Sequence, residues 1–198
     1  ARVYGISYPR REVTENYALR FKRHPGAPFC IGVLHCNVGG VPGHENYAPC
    51  RLDDLIGIGM DYWALGHVHS RKILRDGFPW VVYPGNSQGR NPREHSAKGC
   101  YLVQVSGNIP TDLQFLPIDN VRWINVDISI DGLNSEEELL NTLINKLTTI
   151  KNENNSKSVI TPIKLSGRGR LYNLLKNSTL IADLLGEIRL QFTSQSGA

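Results

Sequence analysis

A short apolar run that ends in glycine and precedes two histidines limits most strongly what this chain can fold into. Tyr62–Leu65 has the length and composition of a buried strand, Gly66 ends it, and His67 and His69 follow. Side chains two residues apart on an extended chain point to the same side. Two neutral imidazoles on one side of a strand end are typical ligands of a divalent metal ion. The run therefore predicts an α/β fold with a metal site beside a strand.

The same pattern, a strand followed by a loop with polar residues, recurs in the first part of the chain. His35 stands at the end of the predicted strand Phe29–Leu34, and Asn86 follows the predicted strand Trp80–Tyr83. In open α/β sheets, ligands collect beyond the carboxyl ends of the strands. We therefore expect both side chains to share that position with the histidine pair. Imidazole ligands favour zinc, manganese or iron over magnesium or calcium.

The sequence changes character after about Pro117, and it predicts a second, smaller α+β unit. Ser135 begins a capping box that opens an amphipathic helix. Strands are predicted at Arg122–Ile130 and Ile188–Phe192, whereas a surface helix is predicted earlier, at Glu12–Arg23. We expect two domains, residues 1–118 with the candidate metal ligands and residues 119–198 as a capping or DNA-binding accessory domain.

Composition narrows the class of protein. The chain is 40% hydrophobic and 20% charged, which is typical of globular proteins, and it lacks an apolar run long enough for a membrane span. Its net charge of +4 comes from the part before Asp119, where it suits a phosphate-bearing polyanion. The four cysteines lack metal-site spacing, so we expect reduced thiols in a cytoplasmic protein instead of a zinc site.

Several segments, taken in order, resemble one known family. They are Val33-Leu34-His35, Tyr47-Ala48-Pro49, Asp61-Tyr62-Trp63-Ala64-Leu65-Gly66-His67-Val68-His69, Tyr83-Pro84-Gly85-Asn86 and Lys98-Gly99-Cys100-Tyr101-Leu102-Val103. Together they resemble the C-terminal half of calcineurin-like metallophosphoesterases, and more narrowly the SbcD/YhaO-type DNA repair exonucleases. The likeness covers Arg2 to about Ile118 well. Residues Val121 to Phe192 resemble the family's capping domain more loosely.

The resemblance implies a four-layer α/β/β/α nuclease domain with two metal ions, usually manganese. By position, His35 and His67 match ligands of one metal and His69 matches a ligand of the other. The resemblance also implies hydrolysis of a DNA phosphodiester by metal-bound hydroxide. DNA and an SMC-like ATPase would be the partners, and the intact protein would be a homodimer. Asn86 and Arg90 are candidate phosphate contacts, and His44 is a weaker candidate for a substrate contact.

The carboxylate ligands and the general acid of the family have no counterpart in this chain. We therefore expect a fragment that lacks the first half of its domain, binds metal incompletely and is inactive alone. Two other functions stay open at this point. One is hydrolysis of a small nucleotide or phosphodiester, and the other is a scaffold that binds DNA or an ATPase without catalysis.

Overall fold

The chain folds into two compact units. The computed structural model describes residues 1–10, 12–40, 47–107 and 109–193. Unit 1 comprises Ala1–Arg90 and Ser96–Asn120, and unit 2 comprises Asn91–His95 together with the chain from Val121 onward. The mixed α/β character agrees with the predicted class. The four-layer arrangement, and the roles of the two units as nuclease half and cap, stay predictions.

A five-stranded sheet forms the framework of unit 1. The elements of unit 1 are β1 Arg2–Gly5, a 3-10 helix Tyr17–Arg20, β2 Cys30–His35, α1 Leu52–Gly57, β3 Tyr62–Gly66, β4 Lys72–Arg75, β5 Trp80–Tyr83, β6 Gly99–Ser106 and β7 Ile109–Pro117. The strands of the sheet lie in the order β1-β2-β3-β5-β4, and all neighbours are parallel except the antiparallel pair β4 and β5. The other two strands, β6 and β7, pair with each other as an antiparallel hairpin.

Apolar residues pack on both faces of this sheet, but Val3 of β1 and Val33 of β2 stay exposed. On one face Trp63 is fully buried, donates its Nε1–H to the Leu55 carbonyl at 2.9 Å and meets the Phe21 ring at a centroid distance of 5.0 Å. Its ring lies so close to Gly32 that no larger residue fits there. On the other face, Phe29, Tyr62 and Val82 pack with apolar residues of the β6–β7 hairpin. The sheet is thus a rigid platform for the loops at its ends.

The predicted surface helix Glu12–Arg23 is wrong. Only the 3-10 turn Tyr17–Arg20 forms there, and its Tyr17 and Ala18 are buried in the core of unit 1. Asn16 explains the short element, because its side chain accepts the Ala18 N–H and donates to Asp54 Oδ2 at 2.8 Å. Such side-chain bonds to the neighbouring backbone begin a helix at the next residue and compete with a longer one.

Unit 2 is built from two parallel strand pairs and three helices. The elements are β8 Val121–Trp123, β9 Val126–Ser129, α2 Glu136–Glu153, β10 Ser158–Ile160, β11 Ile163–Ser166, α3 Leu171–Leu174 and α4 Ser178–Thr193. Strand β8 pairs with β10, and β9 pairs with β11. Buried residues of β9, the long helix α2 and the last helix α4 form one apolar core.

Two further sequence predictions in unit 2 need correction. The strand predicted at Arg122–Ile130 is interrupted between β8 and β9, opposite Pro162, which has no N–H to offer a strand ladder. The strand predicted at Ile188–Phe192 is the end of helix α4. Leu184 and Ile188, four residues apart, are both buried there, as one face of a helix requires. None of the described helices is long and apolar enough to cross a membrane.

Candidate metal centre

The candidate site lies at the edge of the unit 1 sheet where the parallel strands end. β1, β2, β3 and β5 run in the same direction, so the residues that follow each of them reach the same edge. The structure brings together there the predicted residues His35, His67, His69, Asn86 and Arg90, as the following contacts show. His44 lies outside the described residues.

His35 and His67 are direct neighbours. Their ring centroids are 5.2 Å apart with an interplanar angle of 70°. The approach depends on Gly66, which pairs with His35 across β2 and β3, because a Cβ at Gly66 would lie 3.0 Å from His35 Nδ1. The glycine that ends the apolar run is therefore also the residue that admits the imidazole of the neighbouring strand.

The backbone turns sharply at His67. Its φ of 101° lies in a region that side-chain-bearing residues rarely adopt, so the surrounding structure holds it there. The Nε2 atom of His67 is buried, and the Tyr47 ring packs on the imidazole edge to face at a centroid distance of 5.5 Å. Backbone strain of this kind is found where a site requires one side-chain direction.

His69 is held by its main chain. Its carbonyl oxygen accepts hydrogen bonds from Lys98 Nζ at 3.1 Å and from the Asn86 N–H at 3.3 Å. Nη2 of Arg90 lies 3.4 Å from His69 Nδ1. Gly85 permits this arrangement, since its φ is +79° and a Cβ there would lie 2.7 Å from the His69 oxygen. The loop after β5 is thus closely attached to the loop after β3.

The electrostatics of the site favour neutral imidazole at His35. The pKa of His35 is lowered, first because partial burial disfavours the charged ring and then because His69 lies nearby. His35 is exposed overall, but partial burial and the nearby His69 both lower its pKa. Only the unprotonated ring can bind a metal ion, so the environment keeps His35 in its metal-binding form over a wider pH range.

Three residues at this edge were not predicted as site residues, although Tyr83 and Lys98 belong to segments that carry the family resemblance. Tyr8 follows β1, and its ring meets the His35 ring edge to face at a centroid distance of 6.0 Å. The Tyr8 hydroxyl is buried, and its pKa is raised first by burial and then by the nearby Cys36. The Tyr83 hydroxyl donates to the Cys36 carbonyl at 2.8 Å and accepts the Val38 N–H at 3.0 Å. Lys98 is the third. The strand-end rule, applied to β1, would have identified Tyr8.

The residues present fit part of a metal centre. Adjacent imidazoles, a buried Nε2 and a lowered pKa are what a site for an imidazole-binding divalent ion needs. Within residues 1–10, 12–40, 47–107 and 109–193, however, no group of three or more His, Cys, Asp or Glu side chains is arranged to hold an ion. The imidazoles alone therefore do not form a complete coordination shell.

The cysteines do not supply the missing ligands. All four are free, and Cys30, Cys36 and Cys50 are buried whereas Cys100 is exposed. The hydrogen bond between the Cys36 and Cys50 thiols raises the pKa of Cys36, together with burial, and lowers the pKa of Cys50. None of the described cysteines belongs to a group of three or more side chains arranged to hold an ion.

Comparisons with known proteins identify relatives of this chain. It is 44% identical over 130 residues to the uncharacterized metallophosphoesterase YhaO of Bacillus subtilis, an alignment that covers 66% of this chain and 32% of the relative. It is 29% identical over 180 residues to the DNA double-strand break repair protein Mre11 of Sulfurisphaera tokodaii, covering 87% and 44%. A Methanocaldococcus jannaschii protein of the same name is 30% identical over 101 residues, covering 48% and 26%.

The chain spans less than half the length of each of these curated relatives. No family model matches it.

Proposed function

Because this chain belongs to the calcineurin-like metallophosphoesterases, and to their SbcD/Mre11 type, we propose that it is part of a two-metal phosphodiesterase that hydrolyses DNA. The resemblance predicted from the sequence motifs is confirmed by these relatives. The two relatives named for DNA double-strand break repair support a DNA substrate over a small phosphodiester.

One observation carries the proposal. The imidazoles of His35 and His67, from neighbouring parallel strands, stand 5.2 Å apart at the carboxyl edge of the sheet, and His69 and Asn86 share that edge. A lone histidine at a strand end is explained by structure alone. Two imidazoles from neighbouring strands that meet, with a glycine required for their approach, support a shared ligand.

His35 and His67 would hold one divalent ion, and His69 would contribute to a second. Two manganese ions bound there would lower the pKa of a water molecule and offset the negative charge of the phosphodiester. The lowered pKa of His35 keeps its ring unprotonated. The strained turn at His67 fixes the direction of its ring, and the hydrogen bonds from Lys98 and Asn86 fix the main chain of His69.

Asn86 and Arg90 would bind the substrate. The hydrogen bond from the Asn86 N–H to the His69 carbonyl places this residue next to the histidines, and the Arg90 guanidinium reaches the His69 ring. Amide and guanidinium groups both donate hydrogen bonds to phosphate oxygens, and guanidinium does so in bidentate fashion. We assign them to orienting a phosphate beside the metal centre.

The active enzyme would need further polypeptide. Phosphodiesterases that use two metals require bridging oxygen ligands, and no described carboxylate joins the histidines in a group of three or more side chains that could hold an ion. Parallel sheets are normally covered on both faces, yet Val3 on β1 and Val33 on β2 are 63% and 43% exposed. A cavity of about 570 Å³ beside them is lined by apolar residues such as Ala1, Phe29 and Ile31. We therefore propose that this chain is the C-terminal portion, inactive alone.

The remaining predictions complete the proposal. The intact protein would be a cytoplasmic homodimer that works with an SMC-like ATPase. Unit 2 would be its capping domain. The exposed basic side chains that follow the histidine pair, Arg71 and Lys72, suit a polyanionic substrate.

The proposal is tested first on the 198-residue chain and then on the longer protein. We expect the chain to bind Mn²⁺ substoichiometrically by calorimetry and to leave a labelled DNA duplex uncut. In the longer protein, His67→Ala should abolish Mn²⁺-dependent cleavage, whereas the exposed His24→Ala should not. Unchanged cleavage by His67→Ala would contradict the metal assignment. Activity on small phosphodiesters but not on DNA would contradict the substrate.

A source polypeptide of 22.1 kDa, the mass of this chain, would contradict the fragment assignment.

A further inference from the structure

We propose that a basic loop in unit 2, Gly167–Arg170, together with Lys176, binds the phosphate backbone of a nucleic acid. This inference rests on the proposed function, because it assumes a DNA substrate, and it assigns one contact surface for that substrate. The surface is called the basic loop here and is separate from the histidine residues in sequence and in unit.

Charge within unit 2 is strongly segregated along the sequence. Unit 2 as a whole holds ten basic and nine acidic residues, so its net charge is close to zero. Between Glu153 and Asp183, however, the sequence holds five basic residues and no acidic one: Lys157, Lys164, Arg168, Arg170 and Lys176. Lys164 forms an ion pair with Asp127 at 3.9 Å, so it is not counted with the basic loop. The exposed cations of the basic loop and Lys176 suit a polyanion.

The Asp131 side chain holds the backbone of the basic loop in one conformation. The Arg168 N–H donates to Asp131 Oδ1 at 2.7 Å, and the Ser129 hydroxyl donates to Oδ2 at 2.7 Å. Gly167 has a φ of +98°, and a Cβ there would lie 2.7 Å from both Asp131 oxygens. These bonds lower the pKa of Asp131, so the carboxylate stays charged. Asp131 therefore binds the main chain of the loop and not the guanidinium groups of its arginines.

The arginine side chains are available to a ligand. Arg168 and Arg170 are both exposed, and among the described residues neither guanidinium takes part in an ion pair or a side-chain hydrogen bond. Leu171, which follows directly, is fully buried and anchors the end of the loop in the core of unit 2. Because the backbone of the loop is already anchored, binding phosphate would order the two arginine side chains without ordering the main chain as well.

An aromatic ring lies beside these cations in sequence. Tyr172 is 51% exposed, and the Lys176 ammonium lies 4.7 Å from the centre of its ring. Surfaces that bind nucleic acid without reading its sequence combine cations that follow the backbone with an aromatic face. An acidic protein surface would need the cations but not the ring, so the combination favours nucleic acid.

The experiment measures DNA binding by the 198-residue chain as a function of salt. Each phosphate contact that is lost should reduce the slope of log affinity against log salt by about 0.9 for duplex DNA. We expect Arg168→Ala and Arg170→Ala each to weaken binding and to reduce the slope by about that amount. Lys146→Ala, which removes the same charge from an exposed position on α2, is the matched control and should leave the slope unchanged.

A second variant tests the loop geometry without any change in charge. Gly167→Ala should displace Asp131 and the loop, and should weaken DNA binding several-fold while the far-ultraviolet circular dichroism of the chain is retained. Slopes for the two arginine variants equal to that of Lys146→Ala, in a chain that binds DNA, would overturn this inference and leave the proposed function intact.

Three other outcomes are decisive. A chain that binds no duplex DNA at low salt would overturn this inference, whereas cleavage of DNA by the longer protein would still support the proposed function. Equal competition by polyglutamate of matched charge would overturn the nucleic-acid assignment in favour of an acidic protein partner. DNA binding with the expected slopes, in a longer protein that cleaves no DNA, would support the basic loop and contradict the proposed activity.

Discussion

The histidine edge of unit 1 and the basic loop of unit 2 both depend on glycines that leave no room for a Cβ, but they differ in the contacts around those glycines. At the histidine edge, side chains are positioned by buried packing and by glycines that leave no spare room, as at Gly66 and Gly85. At the basic loop, position depends on exposed hydrogen bonds to Asp131. Packing in a dense interior transmits any change in volume, whereas exposed polar contacts are weakened by water and salt.

Substitutions should therefore be more costly at the histidine edge. A site that must hold imidazoles at fixed spacing needs rigid support, because a metal ion tolerates little displacement of its ligands. A surface that contacts a phosphate backbone tolerates larger displacements.

Trp63→Ala should have the largest effect. The residue is fully buried beneath the sheet and donates a hydrogen bond to Leu55, so we expect a loss of about 3–5 kcal/mol in the free energy of unfolding. Amide hydrogen exchange followed by mass spectrometry should show faster exchange in β2 and β3. Leu139→Ala, in the core of unit 2, is the counterpart and should instead accelerate exchange in α2. Identical exchange patterns for the two variants would remove the contrast between the units.

Gly85→Ala should cost at least about 1–2 kcal/mol, because alanine is strained at a φ of +79°. Its Cβ would also press on the His69 carbonyl, so the NMR signals of the His69 ring should shift. Gly57→Ala is the matched control, since nothing lies within 4 Å of the position of its Cβ. Unshifted His69 signals would show that the loop after β5 does not position this histidine.

Ser135→Ala should lower stability by about 1 kcal/mol, because the Ser135 hydroxyl accepts the Glu138 N–H at the start of α2. Chemical denaturation of the chain measures this loss. Ser156→Ala, at an exposed position outside any helix, should change stability by much less. Equal effects would mean that the cap contributes nothing beyond a surface serine.

The smallest effect concerns the protonation of Asp131. Its pKa is lowered by the Arg168 N–H first and the Ser129 hydroxyl second. The contribution to stability is therefore present above the ordinary aspartate pKa and is lost as the pH falls through the lowered value. Carbon-detected NMR of the carboxyl group should show the lowered pKa, and Ser129→Ala should raise it part of the way back. An unchanged pKa in that variant would assign the whole effect to the backbone.

The strands predicted best from the sequence are those formed by local apolar runs. β2, β3 and β5 were predicted because their apolar residues are continuous, and the shared edge followed from the direction of parallel strands. β4 was missed, since this edge strand has only four residues and its apolar Ile73 and Leu74 stand between Lys72 and Arg75. The last helix was predicted as a strand at Ile188–Phe192 because a short apolar window does not reveal its period.

Within the site, the ligand candidates were found but their supports were not. Histidines after strands have a chemical signature in sequence, whereas Lys98 acts through a bond to a carbonyl 29 residues away. Nothing in the sequence near Lys98 indicates which carbonyl that is. The clearance at Gly66 likewise depends on the register between β2 and β3, which only the fold defines.

The outer position of β1 also determines how the purified chain behaves in solution. In the described part of the chain β1 pairs with β2 alone, and its Val3 side chain is largely exposed. A strand with one unpaired side is a template on which a second molecule can add its own strand. Self-association through β1 should therefore limit the solubility of this chain. Val3→Lys should allow more concentrated samples to stay monomeric.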